Sequence, residues 1–453
     1  MLIMQESLPG INKFLKPVVM NSRARDLAIS CIIAFLMHWG KMTATQAAGS
    51  VRSRPRHRAQ ICRFLGRKYW KRFDLLGPVQ HTLLELEAVK DGIFIFIVDQ
   101  TVCSVQAESA ENSYHTRNTK KRPQKSGRKQ KKHTKRSCHC FVMGLLITPS
   151  GYRICYYLPF YTKSYCEARK LKHKSQAELA AELIDKLYLP ESAKVVVLGD
   201  TAFDAKVIRT ACDNKGFSWI VPVNPERVLA GASPRPKVTS LVEKIKPQKL
   251  ACIKVQSGSG DFVNYRRASR CRTGPKSKPS TYFVHEERQD VHSVGEVRLF
   301  FSTIKSPQKG ENLKGCKILM TNNLSVSTQK VIELYGLRWQ IELFFKEVKS
   351  SLGLSHYRVR SFEKVENWVT LCLAAFIYLE TLRARKLRQK RKTKENIDWW
   401  RLQRTHGLTL AVRQKAEEME LVLISKAMET KSGIKRIKKI IREAYPKEYQ
   451  ARL

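Results

Sequence analysis

The chain has 453 residues, with 84 Lys and Arg against 39 Asp and Glu, and its formal net charge is +45. A charge of that size repels itself in a compact protein, so the composition favours a polyanionic partner such as a nucleic acid. The longest apolar stretch, Trp368–Leu379, is about half as long as a membrane span, which favours a buried helix over a membrane protein.

The twelve cysteines are typical of a protein from a reducing compartment, because none of them forms a C-x-x-C pair and several lie in apolar segments. Cys138-His139-Cys140 has metal-ligating chemistry, but no second ligand pair stands at zinc-finger spacing. We therefore expect structural residues here rather than a zinc site.

Residues 1–90 are expected to be helical. A helix from Ser22 to Trp39 is followed by a short helix that ends near Gly49 and by a basic helix from Pro55 to about Lys68. A short helix, a turn and a basic helix are compatible with a DNA-reading helix-turn-helix, and an ordinary basic helical domain is the alternative. The net charge favours DNA binding. The predicted DNA contacts on the third helix are Arg56, Arg58 and Arg63.

Two segments further on have the pattern of strands buried on both faces, and an acid follows each of them. Ile93–Val98 is a continuous apolar run that ends at Asp99, and Val195–Leu198 is another that leads into Gly199 and Asp200. If these strands pair in parallel, the two carboxylates lie about 5 Å apart at one edge of a sheet. That separation suits the binding of divalent metal ions.

Helical and strand patterns around these two strands predict an α/β unit over residues 91–224. The segment 225–327 is basic and rich in β patterns, so we expect a β-rich insertion there. Its expected strands are 250–255, 262–267, 281–287 and 296–304. Final core helices are expected at 328–385, and a basic helical region at 386–453.

The segment Tyr335–Ser350 contains no Pro and is expected to form a single helix. One carboxylate on this helix is flanked by two cations and a phenol. The residues that share this face at 100° per residue are Tyr335, Arg338, Glu342 and Lys349. An adjoining apolar stripe, which should face a core, comprises Leu337, Ile341, Phe345 and Val348. A solvated surface helix is the alternative.

Three local patterns occur in one order along the chain. They are Asp99-Gln100-Thr101 after the first apolar strand, the block Gly199–Asp204, and Y-x2-R-x3-E-x6-K, which Tyr335, Arg338, Glu342 and Lys349 meet in full. In these patterns the chain resembles the IS4-type DDE transposases. The resemblance implies a ribonuclease H-like α/β fold, in which a mixed sheet flanked by helices is interrupted by the β-rich insertion. A helical N-terminal DNA-binding domain and a helical, basic C-terminal region complete this expectation.

The resemblance also implies roles for these residues. Asp99, Asp200 and Glu342 are expected to be catalytic and to hold two Mg²⁺ ions, for which Mn²⁺ can substitute. The residues expected to contact the DNA backbone are Tyr335, Arg338 and Lys349. The expected reaction is metal-dependent cleavage of transposon ends, followed by joining of the 3′-hydroxyls to target DNA.

The implied partner is double-stranded DNA, at transposon ends and target, held by a homodimer or a larger assembly. The implied location is the bacterial cytoplasm, associated with the nucleoid and not with a membrane. Two alternatives stay open: a catalytically inactive or domesticated DNA-binding protein, and a metal-dependent nuclease without strand transfer.

One position departs from the family. Members that cut through a DNA hairpin can hold a flipped base on a Trp of the insertion, but no Trp lies between Trp219 and Trp339, and Lys317 stands at the matching position. The hairpin step therefore stays open, and the residues that could replace the Trp include Phe300, Phe301 and the tyrosines. Asp204 is expected to be an acid at a helix N-terminus, with assistance to the metal ligands as the alternative.

Overall fold

The computed structural model describes residues 10–37, 43–49, 57–66, 70, 74–105, 110–116, 136–231, 233–246, 249–255, 280–304, 316–392, 432 and 434–435. The chain divides into two compact units. One comprises Met1–Thr82 with Glu347–Leu453, and the other is Leu83–Lys346. Each is described separately below, and the second is called the sheet unit.

The sheet unit is built on one mixed β-sheet. Among the described residues it has ten strands: β1 (Ile93–Ser104), β2 (Tyr114–Thr116), β3 (Arg136–Ile147), β4 (Arg153–Pro159), β5 (Lys194–Leu198), β6 (Ser218–Pro222), β7 (Ala251–Val255), β8 (Ser280–Val291), β9 (Gly295–Thr303) and β10 (Lys317–Thr321). Their order is β2-β3-β1-β5-β6-β10-β9-β8-β7, and β4 also pairs with β3.

The centre of the sheet is parallel, as the sequence predicts. Strand β1 pairs in parallel with β5, and β5 pairs in parallel with β6. These strands are buried through their apolar runs, because helices cover both faces of a parallel sheet. The last parallel pair between β1 and β5 is Ile97 with Leu198.

The prediction that the first strand ends at Asp99 is wrong. Strand β1 continues to Ser104, and Asp99 pairs with Met143 of the antiparallel neighbour β3. Pairing with β5 ends at Ile97, whereas pairing with β3 continues through the six residues Asp99–Ser104. Asp99 therefore lies within a strand, beyond the end of its parallel partner.

The segment 225–327 contributes strands to the same sheet. Strands β7, β8 and β9 confirm three of the four strands expected there, and the expected strand 262–267 lies outside the described residues. Antiparallel pairing joins β7 to β8, β8 to β9, β9 to β10 and β10 to β6. In the described residues, this β-rich segment is thus an extension of the central sheet.

Helices flank the sheet. In this unit they are α6 (Lys163–Arg169), α7 (Gln176–Asp185), α8 (Lys206–Asn214), α9 (Thr328–Gly336) and α10 (Gln340–Lys346), numbered after the five helices of the first part of the chain. The predicted start of α7 is confirmed, because Ser175 and Glu178 form a capping box there.

The other compact unit is helical in its described residues. Its N-terminal helices are α1 (Ile11–Phe14), α2 (Ser22–Met37), α3 (Ala44–Gly49), α4 (Arg58–Leu65) and α5 (Leu76–Leu84), the last of which runs into the sheet unit. They pack around α11 (Phe362–Lys392), where Phe35 meets Trp368 with ring centroids 4.9 Å apart and Phe14 meets Tyr378 at 5.3 Å. The helices predicted at 22–39, 43–49 and 55–68 are confirmed over their described parts.

Helix α11 contains the predicted buried segment Trp368–Leu379. Its window Phe362–Arg385 is long and apolar enough to cross a membrane, but 83% of it is buried inside the protein. That burial is typical of a core helix, so its apolar composition is explained by packing. Most of the basic region 386–453 lies outside the described residues.

Candidate active site

Two of the three predicted acids meet at one edge of the sheet. Asp99 and Asp200 each lie two residues beyond the last parallel pair, Ile97 with Leu198. The Gln100 N–H donates to Asp99 Oδ1 at 2.7 Å, and the Ala202 N–H donates to Asp200 Oδ1 at 2.9 Å. One oxygen of each carboxylate is therefore fixed by the backbone, and the second oxygen can face another group.

The turn after β5 orients Asp200. Asp200 caps a short 3₁₀ helix, Thr201–Phe203, and Phe203 is buried. A Cβ at Gly199 would lie 2.9 Å from the Phe203 Cβ, closer than real side chains approach. Gly199 is therefore needed for this turn to fold back against the end of the strand. Within the block Gly199–Asp204, packing requires the glycine at 199, whereas Asp200 is the residue with the predicted metal-binding chemistry.

The third acid comes from a broken helix. The predicted single helix over Tyr335–Ser350 is wrong: α9 ends at Gly336, a 3₁₀ turn spans Leu337–Trp339, α10 follows, and a π-helical turn covers Glu347–Ser351. These changes of helical pitch shift the apolar face. As a result Phe344 is fully buried, whereas Leu337 and Phe345, both predicted to face the core, are half-buried.

Arg338 joins the acids within the sheet unit. Its Nη2 donates to Glu342 Oε1 at 2.6 Å, and its Nη1 lies 3.8 Å from Asp99 Oδ2. Arg338 and Asp99 are well buried, with 16% and 14% of their side chains exposed, and Glu342 is half-buried. The structure therefore places Arg338 against two of the three predicted acids.

Tyr335 lies beside this cluster. Only 9% of the residue is exposed, and its hydroxyl has no hydrogen-bond partner among the described residues. Burial raises the pKa of Tyr335 to about 12, with Asp200 and Asp99 adding to the effect and Arg338 opposing it. The phenol is thus a protonated donor that is aimed at no acceptor of the described chain.

Lys317, which the resemblance places at the position of a base-holding Trp, lies beside the acids as well. Its ammonium lies 4.5 Å from the centroid of the Tyr335 ring. Loss of hydration lowers the pKa of Lys317, and the charge of Arg338 lowers it further, against the effect of Asp200 and Glu342. Its location depends on the pairing of Leu319 with Pro222, which are 97 residues apart, so no local pattern reveals it.

The carboxylates repel one another. Burial raises the pKa of Asp99 to about 6, and the neighbouring charges of Asp200 and Glu342 contribute to the rise. Hard oxygen donors crowded in this way fit Mg²⁺ or Mn²⁺, because a divalent cation would remove their repulsion. No group of three or more His, Cys, Asp or Glu side chains within the described residues already has the arrangement of a metal site.

Asp204 has a structural environment. The side chain is fully buried, Arg227 Nε donates to its Oδ2 at 2.8 Å, and Arg209 donates to its Oδ1. Two guanidinium groups therefore occupy both carboxylate oxygens, which argues against a metal ligand. The expectation of an acid at a helix N-terminus places Asp204 correctly, just before α8, but its partners are arginines.

The remaining predicted residues lie elsewhere. Lys349 is in the π-helical turn, which belongs to the helical unit, and Arg58 and Arg63 are exposed on α4. Arg56 lies outside the described residues. The DNA contacts predicted for all four stay predictions.

The Cys-His-Cys segment and two phenylalanines of the β-rich segment are all buried in strands. Cys138, His139 and Cys140 are buried in β3, where His139 Nε2 is 2.9 Å from the Glu111 carbonyl oxygen and the Cys140 thiol donates to Gln100 Oε1 at 3.8 Å. That arrangement agrees with structural residues. Phe300 and Phe301 are buried in β9 with at most 1% exposure, so neither ring is available to hold a flipped base.

A mixed sheet flanked by helices, with acids gathered at one edge, is consistent with the ribonuclease H-like domain of a transposase. The family model of the transposase DDE domain matches residues 92–378, more than half of the chain. The chain therefore belongs to the DDE transposase family. Members of this family act on DNA and generally use divalent metal ions. No curated protein matches the chain significantly.

Replacing Asp99 by Asn should stabilise the metal-free protein. The folded-state pKa of about 6 lies above the ordinary 3.8, so the ionised carboxylate destabilises the fold above about pH 6, and this effect disappears as the pH falls towards 4. We expect a gain of roughly 1–3 kcal/mol in the free energy of unfolding above pH 6, measured by urea denaturation with a chelator present.

The matched control for this prediction is Asp91→Asn, at an exposed aspartate just before β1. It should change stability little at either pH. The prediction is contradicted if Asp99→Asn is less stable than the unmodified protein above pH 6. It is also contradicted if the gain in stability near pH 4 equals the gain above pH 6.

Replacing Asp204 by Asn should destabilise the sheet unit by about 3–5 kcal/mol, because it leaves the buried Arg209 and the half-buried Arg227 without their counter-charge. Urea denaturation measures the change. The matched control is Glu182→Gln, since Glu182 also has two cationic partners, Lys174 and Lys186, but lies at the surface. That change should cost less than about 1 kcal/mol. Equal effects in the two variants would contradict a structural role for Asp204.

Proposed function

We propose that the chain is an IS4-type transposase that cleaves the ends of its element and joins the 3′-hydroxyls to target DNA. The observation that carries the proposal is the crowding of Asp99, Asp200 and Glu342 at one edge of the sheet, where the pKa of Asp99 is raised to about 6. Carboxylates with raised pKa values that are crowded together are typical of functional sites.

The three carboxylates would hold the metal ions. Two bound Mg²⁺ ions would make a water or DNA hydroxyl nucleophilic and stabilise the leaving oxygen. Asp99 and Asp200 each use one oxygen for a backbone N–H and offer the other, and Glu342 offers the oxygens that now face Arg338.

The cationic and phenolic groups would hold the DNA strand. Arg338 is the counter-ion of Asp99 and Glu342 in the free protein, so a phosphate can take over its guanidinium once the carboxylates bind metal. The buried Tyr335 hydroxyl, which lacks a described partner, would donate to a phosphate or sugar oxygen. Both contacts position the strand and read no base.

The rest of the chain would extend this contact with double-stranded DNA. We propose a DNA-binding domain at 1–90, a catalytic core at 91–224 and 328–385, the β-rich segment 225–327, and a basic region at 386–453. Further phosphate contacts would come from Lys349, Arg56, Arg58 and Arg63. Two ends must be held together for joining, so at least a dimer on DNA, acting in the cytoplasm, belongs to the proposal.

A cleavage and joining assay tests the function. The protein is incubated with Mg²⁺, a supercoiled target plasmid and a fragment carrying the DNA that flanks its own coding region on both sides. We expect fragment ends joined to the target. Nicks or cuts without joining would instead favour a nuclease, and binding without either would favour a non-catalytic DNA-binding protein.

Variants assign the chemistry to the acids. Asp99→Ala, Asp200→Ala and Glu342→Ala should each abolish cleavage and leave DNA binding intact, whereas Glu191→Ala, at an exposed acid, should cleave normally. Normal cleavage by Glu342→Ala would show that another acid completes the site. Restoration of cleavage by Mn²⁺ in place of Mg²⁺ is expected for the unmodified protein.

Binding should depend steeply on salt. With on the order of ten phosphate contacts, affinity for a duplex should fall by about 10³-fold or more between roughly 50 and 200 mM salt. Fluorescence anisotropy with a labelled duplex measures this dependence. A nearly flat response would contradict the electrostatic part of the proposal.

A further inference from the structure

Lys317 lies at the same edge of the sheet as the acids. It is the first residue of β10, which runs antiparallel to β6, so the beginning of β10 meets the end of β6. Leu198 of β5 pairs with Ile220 of β6, and two residues further Pro222 pairs with Leu319. Lys317 therefore projects past the level of Asp200, towards the space in front of the acids.

The Tyr335 ring holds the Lys317 ammonium in a fixed position. The ammonium is 4.5 Å from the ring centroid, within the range of a cation–π contact. Tyr335 is nine-tenths buried, so its ring is held by packing and its hydroxyl lies beside Arg338 without a described partner. An aromatic face thus supports a cation next to a donor that has no acceptor.

The charges around Lys317 leave it available. Arg338 makes the ion pairs with Asp99 and Glu342, whereas Lys317 makes no ion pair with any described residue. Asp200 and Glu342 act on it only from a distance. One guanidinium cannot balance three carboxylates, so Lys317 reduces the negative charge of the cluster without forming an ion pair with any one described acid.

The charge balance changes when metal binds. Three carboxylates and the two cations, Arg338 and Lys317, give one net negative charge, and two divalent ions would turn this into three net positive charges. A cluster of that charge needs anions, and the phosphodiester backbone supplies them. Arg338 must break its ion pairs with carboxylates before it can bind a phosphate. Lys317 has no ion pair with a described carboxylate, so it can bind a phosphate directly.

We propose that Lys317, seated on the Tyr335 ring, binds a non-bridging phosphate oxygen of the DNA strand at the cleavage site. The proposal deepens the proposed function and rests on it. An ammonium binds phosphate as a point charge and reads no base. The residue at the position of the family's base-holding Trp therefore has a different task here, which is to hold the backbone of the strand.

Two substitutions and a control test this contact. Lys317→Met keeps the length of the side chain without its charge, and Lys317→Arg keeps the charge. Lys194→Met is the control, because Lys194 is the exposed first residue of β5 and lies at the opposite edge of the same sheet. Thermal unfolding of each variant establishes that the fold is retained.

The first measurement is cleavage of the fragment that carries the flanking DNA, at saturating DNA. We expect Lys317→Met to cleave about ten- to hundredfold more slowly, the range for a lost hydrogen bond to a charged group. Lys317→Arg should recover most of the rate, and Lys194→Met should cleave normally. A normal rate in Lys317→Met, or an equal loss in Lys317→Arg with a lowered unfolding temperature, would overturn the proposal.

The second measurement is the salt dependence of duplex binding, which does not need catalysis. Loss of one phosphate contact should reduce the slope of log K against log salt by about one in Lys317→Met and not in Lys194→Met. An unchanged slope in Lys317→Met would overturn the proposal. If the unmodified protein binds DNA but never cleaves it, the proposed function fails, and this measurement still decides the contact.

Discussion

Repulsion among three carboxylates at one edge of the sheet is the constraint on which the candidate site depends. Asp99 and Asp200 are brought together by strand register, and Glu342 approaches from a helix segment. Arg338 offsets part of the repulsion by pairing with Asp99 and Glu342. Burial of Asp99 and its repulsion by the other two acids therefore reduce the stability of the fold at this edge of the sheet.

Asp200 and Asp204 show the difference between a candidate metal-binding acid and a structural acid within five residues. Asp204 is fully buried and its two oxygens are taken by Arg209 and Arg227. Asp200 is half-buried and has one oxygen on a backbone N–H. Asp204 and its two arginines anchor the end of the turn, so the Asp200 carboxylate keeps its direction although it forms no ion pair with any described residue. Buried ion pairs of this kind serve geometry more than stability.

Much of the central sheet, and the meeting of Asp99 and Asp200 at its edge, could be predicted from the sequence. Continuous apolar runs before Asp99 and Asp200 predict parallel central strands, because only strands covered on both faces are apolar throughout. The end of β1 could not be predicted in this way, because the partner β3 and not the local sequence sets it. The joining of β7, β8 and β9 to the central sheet is likewise a matter of long-range pairing. Local patterns give strand positions, and they leave open which neighbour each strand finds.

The helical segment that carries Glu342 is a second case in which local sequence patterns do not predict the structure. Its periodicity predicts a straight helix, yet the chain changes pitch at Leu337–Trp339 and again at Glu347–Ser351. Arg338 and Glu342 still meet, because α10 begins at Gln340 and the long Arg338 side chain reaches across from the preceding turn.

Lys317 meets the Tyr335 ring only because β10 begins at the edge where β1 and β5 end. Two cations thus reach the acids by different routes. Arg338 precedes α10 and forms ion pairs with Asp99 and Glu342. Lys317 lies on a strand of the sheet and contacts the uncharged ring of Tyr335. A cation held in that way does not depend on the carboxylates, so metal binding can change their charge without displacing it.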